Sequence, residues 1–369
     1  MATYYVRENG SASKSDARVG GDDAYAMSVQ VFSVNSFSSG DVIIFEDNEP
    51  FTQQLVFDIG GSEGNPVVYM GPSATSKASV DVSASSGTAG IVITGDYIEV
   101  RNFQVTSNQA NCFSVTDNSG TAGDGYTVHI YDSVALANNG GGDGFSITYG
   151  ATGLGDLECT RCETRAIYGS GDQGFTHHQE QRMILNQCSS TSATQLPLAP
   201  TGSTMTINGG VFESGGNMSD TIIVDGGASL VANDATFIAQ GTGTSSGIFS
   251  LGSGEQNSIT LNNCTLTQSS SAVGQNILRG SPGSSFSMHG GVLNIDTTSS
   301  KFIHILEGGI SVVIDDVDIN MLTVGQHMIS SIANADVIVK NSLIDYTNSI
   351  HTAHSFFIVV MLIPQLVTK

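Results

Sequence analysis

The chain has 369 residues, of which 39% are hydrophobic and only 12% charged; Gly numbers 44, Pro 7, and Trp is absent. With 12 basic against 34 acidic residues the formal net charge is −22, which excludes sequence-independent nucleic-acid binding, because that needs Lys and Arg to displace counterions. The same charge works against acidic polysaccharides unless a divalent cation or a local basic patch intervenes, and the regular recurrence of hydrophobic residues excludes a disordered chain.

The opening, MATYYVRENG, lacks the apolar run of a secretory signal. Residues 1–60 are expected to form an entry and cap region. Beyond it, through about residue 350, one pattern recurs: apolar, any, apolar, a short polar pair, then small or apolar. It reads YIEVRNFQV, TVHIYDSVA, DLECTRCET, RMILNQCSS, TMTINGGVF, SLVANDATF, SITLNNCTL, SFSMHGGVL, SVVIDDVDI and DVIVKNSLI. Its second apolar residue serves as a register mark, falling at Val100, Ile130, Cys159, Leu185, Ile207, Ala232, Leu261, Met288, Ile314 and Val339, in steps of 22 to 30 residues.

Alternation within each unit is that of a strand with one buried face. Helical windows and a leucine-dense consensus are missing, and propeller blades need about 40 residues each. One strand-rich coil per repeat predicts an all-β, single-stranded parallel β-helix (a β-solenoid) of about ten or more coils. A second strand per coil reads CFSVT, GFSIT, GFTHH, TIIVD, GIFSL, FIHIL and MISSI. It predicts one buried column of Phe113, Phe145, Phe175, Ile223, Phe249, Ile303 and Ile329.

Three residues past the mark lie Cys162, Cys188 and Cys264, alongside Gly210, Ala235 and Gly291. Small residues at an inward corner suit a stack, and a free thiol packs there as a small hydrophobe. Five cysteines (Cys112, Cys159 and these three) at irregular spacing are not a disulfide framework. Cys159-Thr-Arg-Cys162 lacks the second pair of a zinc site. Asn102, Asn186, Asn208, Asn233 and Asn262 are expected at turns, where Asn accepts left-handed backbone. Near the end, FFIVVMLI (356–363) precedes Pro364; eight residues are too few to span a bilayer, which needs about 20. Residues 351–369 are therefore expected to be a cap or a partner contact.

The entry TYYVRENGS, then SSGDVIIFEDNEPFTQQLVF and GNPVVYMG, followed by the repeats, resembles the right-handed parallel β-helix (pectin-lyase-like) superfamily over residues 40 to 350. That superfamily includes polysaccharide lyases and phage tail-spike proteins. The resemblance implies a right-handed helix, a polysaccharide partner and, by analogy with tail spikes, a homotrimer on a virion or outside a cell.

The densest group of reactive side chains is GDQGFTHHQEQR, residues 171–182. With Phe175 inward, alternation sends Thr176 and His178 outward and His177 inward. Ser146 and Thr148 of the preceding coil are then expected beside Thr176 and His178, with Asp143 and Asp172 flanking the strand mouth. For proton abstraction beside a uronate carboxylate, His178 or His177 is the candidate base and Arg165 or Arg182 the neutraliser. For hydrolysis, Asp143 and Asp172 are the candidate carboxyl pair. Thr176, Thr148, Ser146, Glu180, Arg279 and His304 are candidate sugar-binding residues. Asp143 and Asp124, in GGDGF and AGDGY, are the candidate ligands of a bound calcium ion, the only cofactor suggested. His351 and His354 have no partner in sequence.

GFTHHQEQ also resembles the Tyr-Gly-Val/Phe-Asp-Pro-His-Glu motif of mannuronan C5-epimerases: Gly174, Phe175, His178 and Glu180 match after one shift. Thr176 stands in place of the Asp, His177 in place of the Pro, and Gln179 is inserted. The leading expectation is a glycan-facing adhesin of the tail-spike kind. The alternatives are a polysaccharide lyase or C5-epimerase acting on a uronate polymer, and a purely structural solenoid.

Overall fold

The computed structural model of the chain describes residues 1–116 without interruption. Beyond them it describes residues 127–138, 142–147, 156–168, 173–178, 182–192, 198–215, 220–240, 247–252, 256–268, 276–280, 282–295, 301–305, 309–321, 329–331 and 335–345. Among the described residues every ladder between strands is parallel, and the strands form two sheets, one of 20 strands and one of 11. The chain is a parallel β-helix. The entry gives the long sheet the single strands Thr3–Val6 and Val42–Phe45; from Val67 onward the coils alternate one short-sheet strand with a bent pair, or one long strand, in the long sheet.

The first coil is closed by aromatic packing. Ser28 caps the short helix Val29–Ser33, its hydroxyl accepting from the Val31 N–H at 3.2 Å. Phe32 on that helix meets Phe45 edge-on at 5.1 Å and lies 6.0 Å from Tyr69. Phe57 stacks on Tyr69 at 4.2 Å. Aromatic pairs of this kind add about 0.5–1.5 kcal/mol beyond their burial.

The register mark behaves as the sequence predicts. Val100, Ile130, Cys159, Leu185, Ile207, Ala232, Leu261, Met288 and Ile314 pair one coil to the next and are fully buried. Two residues past every mark the backbone is left-handed: Asn102, Asp132, Arg161, Gln187, Gly209, Asp234, Asn263, Gly290, Asp316 and Asn341. This residue turns the chain between the two halves of the long sheet. Asn, Asp and Gly dominate there because other L-residues crowd the carbonyl, at about 1–2 kcal/mol. Arg161 and Gln187 carry that cost.

This corrects the role expected of four asparagines. Asn102 is a left-handed turn residue, but Asn186, Asn208, Asn233 and Asn262 sit one position earlier, in extended backbone. Their amides form a ladder: Asn208, Asn233 and Asn262 each donate Nδ2 to the Oδ1 of the asparagine one coil before, at 2.9 Å.

The short-sheet column runs Leu55, Ile91, Phe113, Phe145, Phe175, Leu198, Ile222, Phe249, Leu278, Ile303 and Ile329. Ile222, not Ile223, is the inward residue: in the run Thr221-Ile222-Ile223-Val224 periodicity alone leaves the choice open by one residue, and the pairing with Leu198 and Phe249 settles it. Phe113, Phe145 and Phe175 stack at 4.5 and 5.1 Å. The cysteines are all free and buried. Cys188 and Cys264 lie against Gly210 and Gly291, and the thiols of Cys162, Cys188 and Cys264 donate to carbonyls one coil away. Burial pushes all three thiols up from their ordinary value. No helix among the described residues is long and apolar enough to cross a membrane.

Candidate functional site

The 171–182 coil divides between the sheets. Phe175–His178 is a short-sheet strand, in register with Phe145–Ile147 on one side and Leu198–Thr201 on the other. Phe175 and His177 are inward and fully buried. The Ser203 hydroxyl lies 2.7 Å from Nε2 and 2.8 Å from Nδ1 of His177, so the ring is a core histidine with a polar partner.

Thr176 and Ser146, expected on an exposed face, are buried instead, at 0% and 1% accessibility. Their neighbours in the same outward column, Ser114 and Ala199, are buried too. The short sheet is therefore covered on both faces through these coils. Small Ser, Thr and Ala side chains fit the covered column, whereas alternation alone reads them as solvated. The Thr176 hydroxyl is satisfied by Asp143, donating to Oδ2 at 2.7 Å. The Ser146 Oγ has no hydrogen-bond partner among the described residues.

Arg165 and Arg182 belong to the long sheet and are exposed. Arg165 makes a two-pronged pair with Glu163, at 2.5 and 2.7 Å, at the edge of a shallow groove also lined by Thr75, Lys77, Ser79 and Gln104. His177 faces the core from the other sheet, so the structure does not bring it together with Arg165 as base and neutraliser. His178 ends its strand in register with Thr201. Arg279 and His304 are direct register partners on adjacent short-sheet strands. Asp124, Thr148, Asp172, Glu180, His351 and His354 lie outside the described residues. Asp143 is left as one described calcium candidate, and no group of three or more His, Cys, Asp or Glu among the described residues could hold a metal.

The open face of the long sheet holds a different cluster. The residues just before and just after each register mark point outward. Glu99, His129 and Glu158 therefore stand in one column, and Arg101, Tyr131, Thr160 and Asn186 in the next. His129 Nδ1 is 3.0 Å from the Tyr131 hydroxyl and 3.8 Å from Glu158 Oε2. Asn186 Nδ2 donates to Glu158 Oε1 at 2.6 Å. Arg101 bonds Glu99 and lies over the Tyr131 ring, 5.1 Å from its centroid. Burial first, then the charges of Glu99 and Glu158, push the Tyr131 hydroxyl above the ordinary tyrosine value, so it stays protonated and can donate. At the corner beside it, Arg161 grips Asp132 with two bonds of 2.7 Å and holds that carboxyl below the usual range.

Chemically, the face offers carboxylate acceptors, guanidinium and amide donors, and a hydroxyl–imidazole pair, in columns repeated at about 4.8 Å per coil. The signal for it was present in the repeats. Glu99 and Arg101 flank Val100, His129 and Tyr131 flank Ile130, and Glu158 precedes Cys159, so aligning the marks places them side by side.

No family model matches the chain, and no curated protein matches its sequence. Among solved structures it is similar to pectate lyase Pel9A (14% identity, covering 95% of this chain and 79% of that one, TM-score 0.46). It is also similar to a rhamnogalacturonan lyase (12%, 97% and 90%, TM-score 0.46) and to a GH136 lacto-N-biosidase from Eubacterium ramulus (8%, 93% and 67%, TM-score 0.45). The fold assignment itself rests on the strand register described above.

Proposed function

We propose that the protein is a carbohydrate-facing β-helix of the adhesin or tail-spike kind, which holds a surface polysaccharide against the open face of its long sheet. The observation that carries this reading is the Glu99–His129–Glu158 column beside Arg101, Tyr131 and Asn186. Sugar hydroxyls both donate and accept, and this face supplies both kinds of partner on a rigid, periodic scaffold. A net charge of −22 favours a neutral glycan over an acidic one. The same reading expects a homotrimer on a virion or outside a cell.

A second reading, a polysaccharide lyase or epimerase, is favoured by the 3.0 Å contact between His129 and Tyr131. There His129 would take a proton and the protonated Tyr131 would supply one. Incubation with dextran, galactomannan, alginate and pectate, with and without calcium, separates the two. Binding without chain cleavage, weakened by Tyr131→Phe, is the expected result. Unsaturated sugar ends that vanish with His129→Ala would replace binding by elimination. Absence of binding to every polymer would remove the carbohydrate reading.

A further inference from the structure

The shallow groove beside Arg165 lies across the corner from the Glu99–His129–Glu158 column, on the other half of the long sheet. Its floor is one outward column: Ser79 pairs with Gln104, Gln104 with Val134, and Val134 with Glu163. The residues flanking them, Val80, Phe103, Val105 and Ala135, are buried, so the core holds this floor from beneath. The groove has a volume of about 390 Å³, within the roughly 300–1,000 Å³ of clefts that take small ligands.

Its charge sets it apart. The chain carries 12 basic residues against 34 acidic, and Lys77, Arg101, Arg161 and Arg165 all stand in these few coils. Arg101, Arg161 and Arg165 each bond a carboxylate of their own, Glu99, Asp132 and Glu163. Lys77 is half-buried, its ammonium donates to the Ala74 carbonyl, and it makes no ion pair among the described residues. Asp81, the next outward residue after Ser79, accepts from Ser83 and does not line the groove. Lys77 and Arg165 against Glu163 therefore leave the groove net positive in a chain whose total is −22. Both cations keep free N–H groups, because neither exhausts its donors on Ala74 or Glu163.

We propose that this groove binds a single carboxylate-bearing sugar unit, a uronic acid side group on an otherwise neutral glycan. Lys77 supplies the charge for the carboxylate, and Arg165 a fork of donors beside it. The Ser79 hydroxyl and Gln104 amide suit ring hydroxyls, and Val134 suits the C–H face of the ring. One excess positive charge fits one carboxylate. A polyuronate brings a row of them onto a sheet that already carries Glu99 and Glu158, and is repelled. The sugar part of this assignment rests on the carbohydrate reading above; the charge part rests on the groove alone.

Binding of methyl glucuronoside and methyl glucoside to the full chain, followed by ligand-observed NMR at low ionic strength, tests it. The glucuronoside is expected to bind at least about tenfold more tightly and to lose that advantage in about 0.5 M salt. Lys77→Gln is expected to abolish the advantage with an unchanged urea midpoint. Equal binding of the two sugars, or a preference that survives Lys77→Gln, would overturn the proposal. Acetate binding as tightly as the glucuronoside would also overturn it, by reducing the groove to a general anion site. Glucuronoside preference in a protein that binds no polymer would support the groove and remove the open-face reading; polymer binding without that preference would do the reverse.

Discussion

The two outward faces of this β-helix use the same strand alternation for opposite ends. On the short sheet the outward column Ser114–Ser146–Thr176–Ala199 is small and buried. Asp143, beside that column, accepts a hydrogen bond from the Thr176 hydroxyl. On the long sheet the outward columns through Glu99, His129, Glu158, Arg101 and Tyr131 are large, polar and reachable by solvent. A crowd of reactive residues along the chain is thus a poorer guide to a site in a solenoid than a crowd across coils. Residues 25 or 30 apart are neighbours at about 4.8 Å, whereas neighbours in sequence alternate between core and solvent.

The largest effect should come from placing the same charge on each face. Thr176→Lys buries an ammonium in the covered column and should cost at least about 3 kcal/mol. His129→Lys on the open face should stay within about 1 kcal/mol. Urea unfolding midpoints at matched slopes check both. Equal costs would erase the distinction between the faces.

Next come the exchanges that leave the backbone alone. Tyr131→Phe and Glu158→Gln should each weaken glycan binding by about tenfold, corresponding to about 1.4 kcal/mol, with unfolding stability nearly unchanged. His177→Ala, which opens a cavity beside Ser203, should do the reverse: about 2 kcal/mol less stable and unchanged in binding. Titration calorimetry beside denaturation checks both sets.

The smaller effects concern the corner and the orphan hydroxyl. Asp132 has a lowered folded pKa because Arg161 bonds its ionised form. Its contribution is present above the unfolded carboxylate value, about 3.9, and is lost as pH falls through the folded one. Both side chains are partly exposed, so Asp132→Asn should cost less than about 1 kcal/mol at neutral pH and nothing in strong acid. Ser146→Ala, which removes a buried Oγ without a described partner, should be neutral or stabilising by up to about 1 kcal/mol.

Much of the fold was legible in the sequence because one residue per coil, the register mark, stays apolar while its surroundings change. The left-handed position two residues later is equally regular, but Arg161 and Gln187 hide it, and the asparagines one place earlier mislead because their amide ladder needs three dimensions to appear. The site was less legible. His177 and Thr176 form part of a chemical cluster along the chain, yet nothing local in the sequence reports that both faces of their strand are covered. His129, Tyr131 and Glu158 are unremarkable along the chain and converge only when Val100, Ile130 and Cys159 are set in line.

Whether glycan lies on the open face of the long sheet, as proposed, can be read by hydrogen exchange with and without the tightest-binding polysaccharide of the panel. Added protection is expected at Ile98–Arg101, Thr127–Tyr131 and Asp156–Thr160, with none at Phe113–Val115, Phe145–Ile147 or Phe175–His178. Protection confined to the short-sheet strands would contradict it and return the site to the coil of residues 171–182.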